Sequence, residues 1–559
     1  MTSTSKKTLL LSFLSKNKLR VTGVIIIGFC SSILKILIPI ALAKYYSLAF
    51  ETNSPKIYLL EFFPISFTDT IPHFLMFFLG LIVITSIFDF LERLGKGVMG
   101  ELFLFQLRKI LFQKQLHLTQ AIYDEKGTGR YLLRYSGDLK SIQGYLTKGI
   151  LQFTIDILFL SLTMAVLFAI NPTICLIIIG CTLITLVFMI FVNRWLYRIS
   201  MVRRNRKSNL LSFVNIHLRS ILSVKSFNKE KSAYKKYERR VKKILDLGVN
   251  YHIVNSFIQA TTKSMVYIML AGILAFVHLS SWQSGSELLI TVLLLVTILP
   301  LFRRTLRVYS IWELGNISFS KLLNILNLPS DQNKIDPSIQ RISGNRIIVR
   351  NLNFKLGDKV LFENLSLTIR SKSISLVTGK GKTTFVKLLL GIYRNYSGTI
   401  KVNRTNIRHL APKVIRRKIT IISADWPLYG KTVFDAISYN KKEKKRIAAA
   451  ELLALLQNNQ DEKLTLDMPI GEMGQLLSYN QYILLCFARA ILTRKKIILI
   501  DIQFQNLAPQ LQLTLTQYIN SIKQNKTIVI FGQDEAQFPN IQFDRKHTLN
   551  TPSINYLLN

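Results

Sequence analysis

Six long apolar stretches, near residues 21–48, 72–94, 149–170, 173–196, 257–279 and 286–302, dominate the first part of the chain. Each approaches or exceeds the roughly 20 residues that an α-helix needs to cross a bilayer. The third and fourth are separated only by Asn171-Pro172, a turn dipeptide that must sit at a membrane face. Polar stretches separate the second from the third (Gly95–Lys148) and the fourth from the fifth (Arg194–Asn250). Within them apolar and charged residues alternate at helical spacing, as in Leu107-Arg108-Lys109-Ile110-Leu111-Phe112. That spacing predicts helices continuing out of the membrane. A polar linker over 329–340, with Pro329 and Pro337, ends this region. Beyond it short β-rich runs (Arg346–Val349, Ser373–Val377, Ile419–Ile422, Lys496–Ile500, Thr527–Phe531) alternate with helical stretches. This is the order of an α/β domain with a mostly parallel sheet. The expected fold class is a multidomain membrane protein: an all-α, six-helix transmembrane domain over 1–328 and an α/β domain over 341–559.

Charge sets the orientation. The chain of 559 residues carries 73 Lys and Arg against 31 Asp and Glu, a formal net charge of +42. No nucleic-acid recognition motif accompanies that charge, so nucleic acid is not an expected partner. The basic residues crowd the N-terminus and the two long polar stretches, and Arg194–Asn250 alone holds sixteen against three acids. The opposite loops, 49–71 and 280–285, hold almost none. A bias of this kind marks the cytoplasmic side. It predicts a multi-pass protein of the cytoplasmic (inner) membrane, in contact with its lipids, with both termini in the cytoplasm. No removable signal peptide is read at the N-terminus. Cys30, Cys175, Cys181 and Cys486 lack metal-ligand spacing and read as free packing thiols. Lys35 and Asp156 interrupt the first and third apolar stretches, and ionisable groups at membrane depth are candidates for lining a translocation cavity. A structural or snorkelling role is the alternative.

The last domain contains a worn but ordered set of motifs. A buried strand over Ser373–Thr378 is followed by Gly379-Lys380-Gly381-Lys382-Thr383-Thr384 and a helix from Thr383. A glycine-rich turn there offers backbone N–H groups and a helix N-terminus to a phosphate, with Lys382 for its outer oxygens and Thr383 for Mg²⁺. The usual pattern has four residues between its first Gly and Gly-Lys; here only Lys380 intervenes. Residual nucleotide binding and a plain strand-to-helix turn therefore both remain open. Farther on stand Gly471-Glu472-Met473-Gly474, Leu477-Ser478-Tyr479-Asn480-Gln481 and the apolar strand Ile497–Ile500 closed by Asp501.

These motifs in this order, behind six apolar stretches, resemble an ABC transporter of the exporter type, and the resemblance covers nearly the whole chain. It implies a half-transporter with a P-loop ABC ATPase-like domain that binds ATP and Mg²⁺. Its nucleotide-binding residues would be Gly379, Gly381, Lys382, Thr383, Thr384 and Asp501, with Thr383 and Asp501 on the metal. Ser478 and Gln481 survive from the signature loop, whose two glycines are replaced by Tyr479 and Asn480. No catalytic residue is intact. The family's catalytic glutamate falls on Ile502, its switch histidine on Gln533, its Q-loop glutamine on Ala424 and its adenine-stacking aromatic near Leu356. Tyr123–Gly129 with Ser136-Gly137-Asp138 resembles the first intracellular loop, and Ser223–Glu230 the segment after the second coupling helix. The implied function is export of a peptide, lipid or amphipathic small molecule, as a homodimer or as a heterodimer with another half-transporter. The alternative is a non-hydrolysing membrane scaffold or regulator that keeps the fold.

Overall fold

The structure is a computed structural model and describes residues 5–49, 71–126, 131, 134–279, 285–329, 342–357, 359–439, 445–457 and 463–549. Loop 280–285 except Gly285, most of loop 49–71, Gly127–Gly129 and nearly all of the linker lie outside them. The chain divides into two compact units, one of residues 1–116 and 126–328, the other of residues 117–125 and 329–559.

The first unit is helical. A capping box starts α1 (Lys6–Lys16): the Thr8 N–H donates to Ser5 Oγ at 3.1 Å, and the Ser5 N–H to Thr8 Oγ1 at 3.0 Å. Next come α2 (Lys18–Ala49), α3 (Ile71–Leu116) and the short α4 (Gln120–Lys126). They are followed by α5 (Leu139–Ile170), α6 (Pro172–Arg219), α7 (Ile221–Ser226), α8 (Glu230–Leu279) and α9 (Gly285–Leu326). Among the described residues five helices are long and apolar enough to cross a membrane, and α9 has a shorter apolar run, Leu289–Ile298. At 46, 48 and 50 residues, α3, α6 and α8 far exceed a bilayer's need and continue unbroken into the polar stretches. The turn at Asn171-Pro172 is an N-cap: Asn171 Oδ1 accepts from the N–H groups of Thr173 (2.9 Å) and Ile174 (3.3 Å), and Pro172 occupies the first turn. The core includes Ile36, Phe74, Phe159, Ile178, Ile273 and Leu294. Within α5, residues Tyr145–Gln152 are π-helical. There the Gly149 carbonyl accepts the Trp312 indole N–H at 2.7 Å, and a Cβ on Gly149 would stand 2.9 Å from that ring.

The second unit is α/β. One antiparallel sheet takes the order β2-β1-β4-β5, from β1 (Ile347–Leu356), β2 (Lys359–Ile369), β4 (Ser397–Val402) and β5 (Thr405–Asn406). The central sheet is parallel, in the order β6-β7-β8-β3-β9. Its strands are β3 (Ile374–Gly379), β6 (Ile419–Ser423), β7 (Ile497–Asp501), β8 (Thr527–Phe531) and β9 (Arg545–Leu549). Helices α10 (Lys382–Leu389), α11 (Pro412–Lys418), α12 (Val433–Ser438), α13 (Arg446–Leu456), α14 (Tyr479–Leu492) and α15 (Pro509–Ile522) accompany the strands. β6 and β8 are buried at every position, and β3 and β7 at their first four. Such uniform apolar runs are what a sheet covered on both faces requires. The crossovers put the C-terminal ends of β3 and β7 at one edge, where the chain turns into its motifs.

Candidate functional site

The structure gathers five of the six nucleotide-site residues at one cavity mouth and brings the sixth into contact. β3 ends at Gly379 and α10 begins at Lys382, so Lys380 and Gly381 make the whole turn. Gly379 (φ 102°) and Gly381 (φ 84°) occupy the left-handed region open to glycine. A Cβ on Gly379 would stand 2.5 Å from the Leu549 carbonyl oxygen. The turn is narrow because β9 and the Phe362 ring confine it. Residues 379–384 and Gln533 line an open cavity of about 610 Å³. The Lys382 ammonium donates to the Gly532 carbonyl oxygen at 2.9 Å, and the Thr383 hydroxyl donates to Asp501 Oδ2 at 3.2 Å. A hydroxyl beside a carboxylate is the hard-oxygen pair that Mg²⁺ takes, so the metal side fits. The short turn supplies few N–H groups for a phosphate chain. Burial, with the nearby charge of Asp425, pushes the Asp501 carboxyl up, against the opposing Thr383 hydrogen bond and Lys382 charge.

Ser478 and Gln481 meet as a capping box. The Gln481 N–H donates to Ser478 Oγ at 3.3 Å, while the Ser478 N–H donates to Gln481 Oε1 at 3.0 Å, fixing the start of α14. The two residues in place of glycines are anchored to the segment after β7. Asn480 Oδ1 accepts the Ala508 N–H at 3.1 Å, and the Tyr479 hydroxyl is hydrogen-bonded to the Gln503 backbone.

Lys35 and Asp156 belong to one charged cluster inside the helical unit. Lys35 pairs with Asp89 at 2.7 Å and reaches Glu92 at 3.9 Å. Lys96 binds Glu92 and Gln152, and Gln152 donates to Asp156 at 2.8 Å. Arg304 closes the chain with two bonds to Asp156, at 2.8 and 3.2 Å. These groups line a cavity of about 270 Å³. Sequence reasoning missed Asp89, Glu92, Lys96 and Arg304, although 89, 92 and 96 fall at helical spacing on one face of α3.

The chain matches two family models in succession, the ABC transporter transmembrane region over residues 21–304 and the ABC transporter domain over 362–502. It belongs to the ABC transporter family. It is 24% identical to the ATP-dependent lipid A-core flippase of Methylococcus capsulatus, over 84% of this chain and 80% of that protein. It is 23% identical to the uncharacterized ABC transporter ATP-binding protein YknV of Bacillus subtilis, over 81% and 77%. A solved bacterial Atm1-family ABC exporter with ATP bound superposes with a TM-score of 0.80 at 16% identity, covering 96% of this chain and 94% of that one. The fold is that of an ABC exporter half-transporter, an architecture that works as a dimer, and its ABC domain is of an ATP- and Mg²⁺-binding kind.

The remaining motif positions of this ABC transporter lie as follows. Ile502 is 6% exposed and packs into the core. Gln533 stays exposed at the cavity mouth. Ala424 packs against the apolar core, and Leu356, at the end of β1, is partly exposed.

Proposed function

We propose that this half-transporter couples Mg²⁺-dependent ATP binding to export of an amphipathic substrate and does not itself complete hydrolysis efficiently. One observation carries the reading: Lys382 and Thr383 line one cavity and Thr383 bonds Asp501 behind it, whereas the neighbouring Ile502 is buried in the core. Lys382 would hold outer phosphate oxygens, and Thr383 with Asp501 would hold Mg²⁺. Bound ATP supplies a polyanion that draws paired domains together. An alkyl side chain at 502 cannot accept a proton or orient water. Gln533 can donate to a phosphate oxygen but does not titrate. Tyr479 and Asn480 place side chains where glycine would allow close approach to a partner's ATP.

A peptide, lipid or amphipathic small molecule remains the substrate class. The flippase relative and the charged cavity around Lys35, Asp156 and Arg304 support a substrate with a charged head and apolar body. Pairing with a half-transporter that has an intact catalytic site accounts for turnover better than a homodimer, since every copy would lack the glutamate. A scaffold or regulator is the second reading, favoured by the anchored Tyr479 and Asn480. The deciding experiment measures ATP binding and phosphate release by the chain in lipid bilayers, alone and with a co-purified partner. Binding without turnover alone, and stimulated turnover in the pair, support the exporter; failure to bind Mg-ATP overturns it.

A further inference from the structure

The parallel sheet of the α/β unit has two ends. The C-terminal ends of β3 and β7 carry the phosphate-site residues Gly379 and Asp501. The opposite end carries a row of lysines. Lys418 immediately precedes β6, Lys496 precedes β7 and Lys526 precedes β8. These strands are neighbours, and Ile419 pairs with Ile497, which pairs in turn with Thr527. The three lysines therefore start adjacent strands in register, with backbones roughly 4.8 Å apart from one to the next. The Lys496 carbonyl accepts the Thr527 N–H at 2.9 Å, which fixes that register. Lys372, two residues before β3, joins the row, and its N–H donates to Thr527 Oγ1 at 3.0 Å.

Like charges at adjacent ladder positions repel. Among the described residues no carboxylate pairs with Lys418, Lys496 or Lys526. Asp544, which precedes β9 at the same end of the sheet, is spent on Lys523 at 2.7 Å and on the Ile374 N–H at 2.8 Å. Lys418 reaches the Ile342 carbonyl, a neutral acceptor, at 3.4 Å. Burial, and then the charge of Lys496, hold both Lys418 and Lys526 below the ordinary lysine pKa. A cation at the C-terminal end of α11 is favoured by the helix dipole, which accounts for Lys418. It does not account for Lys496 and Lys526, which follow turns.

The backbone at this end is already bonded within the sheet. The Ile528 N–H donates to the Ser373 carbonyl and the Asp544 N–H to the Ile374 carbonyl, both at 2.9 Å. A peptide main chain therefore finds little to hold, and recognition falls to the ammonium groups, which only donate. They act as point charges, unlike the planar guanidinium fork that grips one carboxylate. The ligand that fits is acceptor-only, multiply charged and long enough to cross several strands. A chain of phosphates has those properties.

We propose that Lys418, Lys496 and Lys526, with Lys372 beside them, form a binding site for a soluble oligophosphate or polyphosphate chain. The site is distinct from the nucleotide cavity: β7 runs from one to the other over five residues, roughly 16 Å. It does not depend on the ATP reading.

The test uses the full chain in phosphatidylcholine nanodiscs, with Lys382→Ala as background to weaken phosphate binding at the nucleotide cavity. Inorganic tripolyphosphate without Mg²⁺ is the probe, followed by calorimetric titration and by the ligand-induced rise in Tm. Lys418→Gln, Lys496→Gln and Lys526→Gln together should weaken binding by about tenfold or more and abolish that rise. Removing the same charge at the exposed Lys235, Lys236 and Lys242 should change neither. If that control loses as much, the binding is diffuse attraction to a basic chain and the proposal fails. It fails too if the background protein takes up no tripolyphosphate, or if the triple variant binds undiminished. Should the triple variant not fold, Lys496→Gln and Lys496→Arg replace it: the first should weaken binding and the second, which keeps the charge, should not. Equal losses in the two overturn the proposal. Competition by poly-glutamate as effective as that by tripolyphosphate overturns the phosphate assignment.

Discussion

The Lys382 ammonium donates to the carbonyl oxygen of Gly532 at 2.9 Å, so the cation proposed to hold phosphate is tied to the residue that follows β8. A nucleotide phosphate must draw the ammonium from that carbonyl. The exchange is favourable because a hydrogen bond to a charged acceptor is stronger than one to a neutral carbonyl. Lys382→Ala removes the cation, and charge-assisted hydrogen bonds are worth roughly 1.5–3 kcal/mol. We expect about ten- to hundredfold weaker Mg-ATP binding, measured by equilibrium titration. Unchanged affinity would show that the two-residue turn no longer works as a phosphate loop.

The metal side makes the same binding depend on pH. Asp501 must be ionised to hold Mg²⁺ with Thr383, and its carboxyl is raised, chiefly by burial and also by Asp425. Mg²⁺-dependent affinity should therefore be full well above that raised value. It should fall as pH drops through it, at higher pH than an ordinary aspartate would cause. For stability the sign is opposite, because the fold holds this proton more tightly than the unfolded chain. The Asp501 contribution is favourable at low pH and is lost as pH rises between its unfolded and folded values. Titrations with Asp501→Asn as control test both signs; a pH-independent Mg²⁺ requirement in the parent would contradict the assignment.

Much of this was legible in the sequence because it is local. Apolar length marks helices, uniform Val/Ile/Leu runs mark buried parallel strands, and Asn171-Pro172 caps α6 through a bond two residues away. The partners of buried polar groups were not legible. Nothing near Asp156 points to Arg304, 148 residues later, because only helix packing brings them together. Ser478 and Gln481 were read as remnants of a nucleotide contact, while their spacing of three is also that of a capping box, which is how they are used here. In the π-helical stretch of α5 the Gly149 carbonyl likewise takes its donor, the Trp312 indole N–H, from far away in sequence.

The Asp156–Arg304 pair gives a stability test inside the helical unit. Asp156 is 1% exposed and receives two bonds from one guanidinium and a third from Gln152. Arg304→Met leaves that carboxylate without its main counter-charge; the Arg304 side chain is itself half-exposed, so solvent screens the pair and the loss should be about 1–3 kcal/mol, that of a buried polar group left short of a partner. Asp156→Asn with Arg304→Met removes both charges and should recover most of the loss. Thermal unfolding in detergent gives the comparison, and strictly additive effects would show that the two groups do not act as a pair.

Orientation can be checked from outside the cell. Basic residues concentrated in Gly95–Lys148 and Arg194–Asn250 predict that Lys126 and the exposed Lys229 face the cytoplasm, together with both termini. Cysteines introduced at either position should resist a membrane-impermeant thiol reagent on intact cells and react after permeabilisation. Strong labelling at either site before permeabilisation would reverse the topology.

Turnover separates an exporter subunit from a scaffold. General-base assistance contributes on the order of 10²–10⁴-fold to such reactions, and the buried Ile502 cannot supply it. The chain alone in lipid should therefore release phosphate negligibly. Ile502→Glu should rescue little, for two structural reasons. A carboxylate at that position must leave an apolar core position. The signature loop also keeps Asn480 bonded to the Ala508 N–H, so it remains anchored within its own domain. Ile502→Glu combined with Tyr479→Gly and Asn480→Gly should recover more than Ile502→Glu alone, because closure needs both halves of the composite site. Co-expression with a half-transporter carrying intact motifs should give substrate-stimulated hydrolysis. Phosphate release by the four preparations decides the matter: brisk turnover by the unpaired parent would refute the inactive-site reading, and a silent pair would leave the scaffold as the better account.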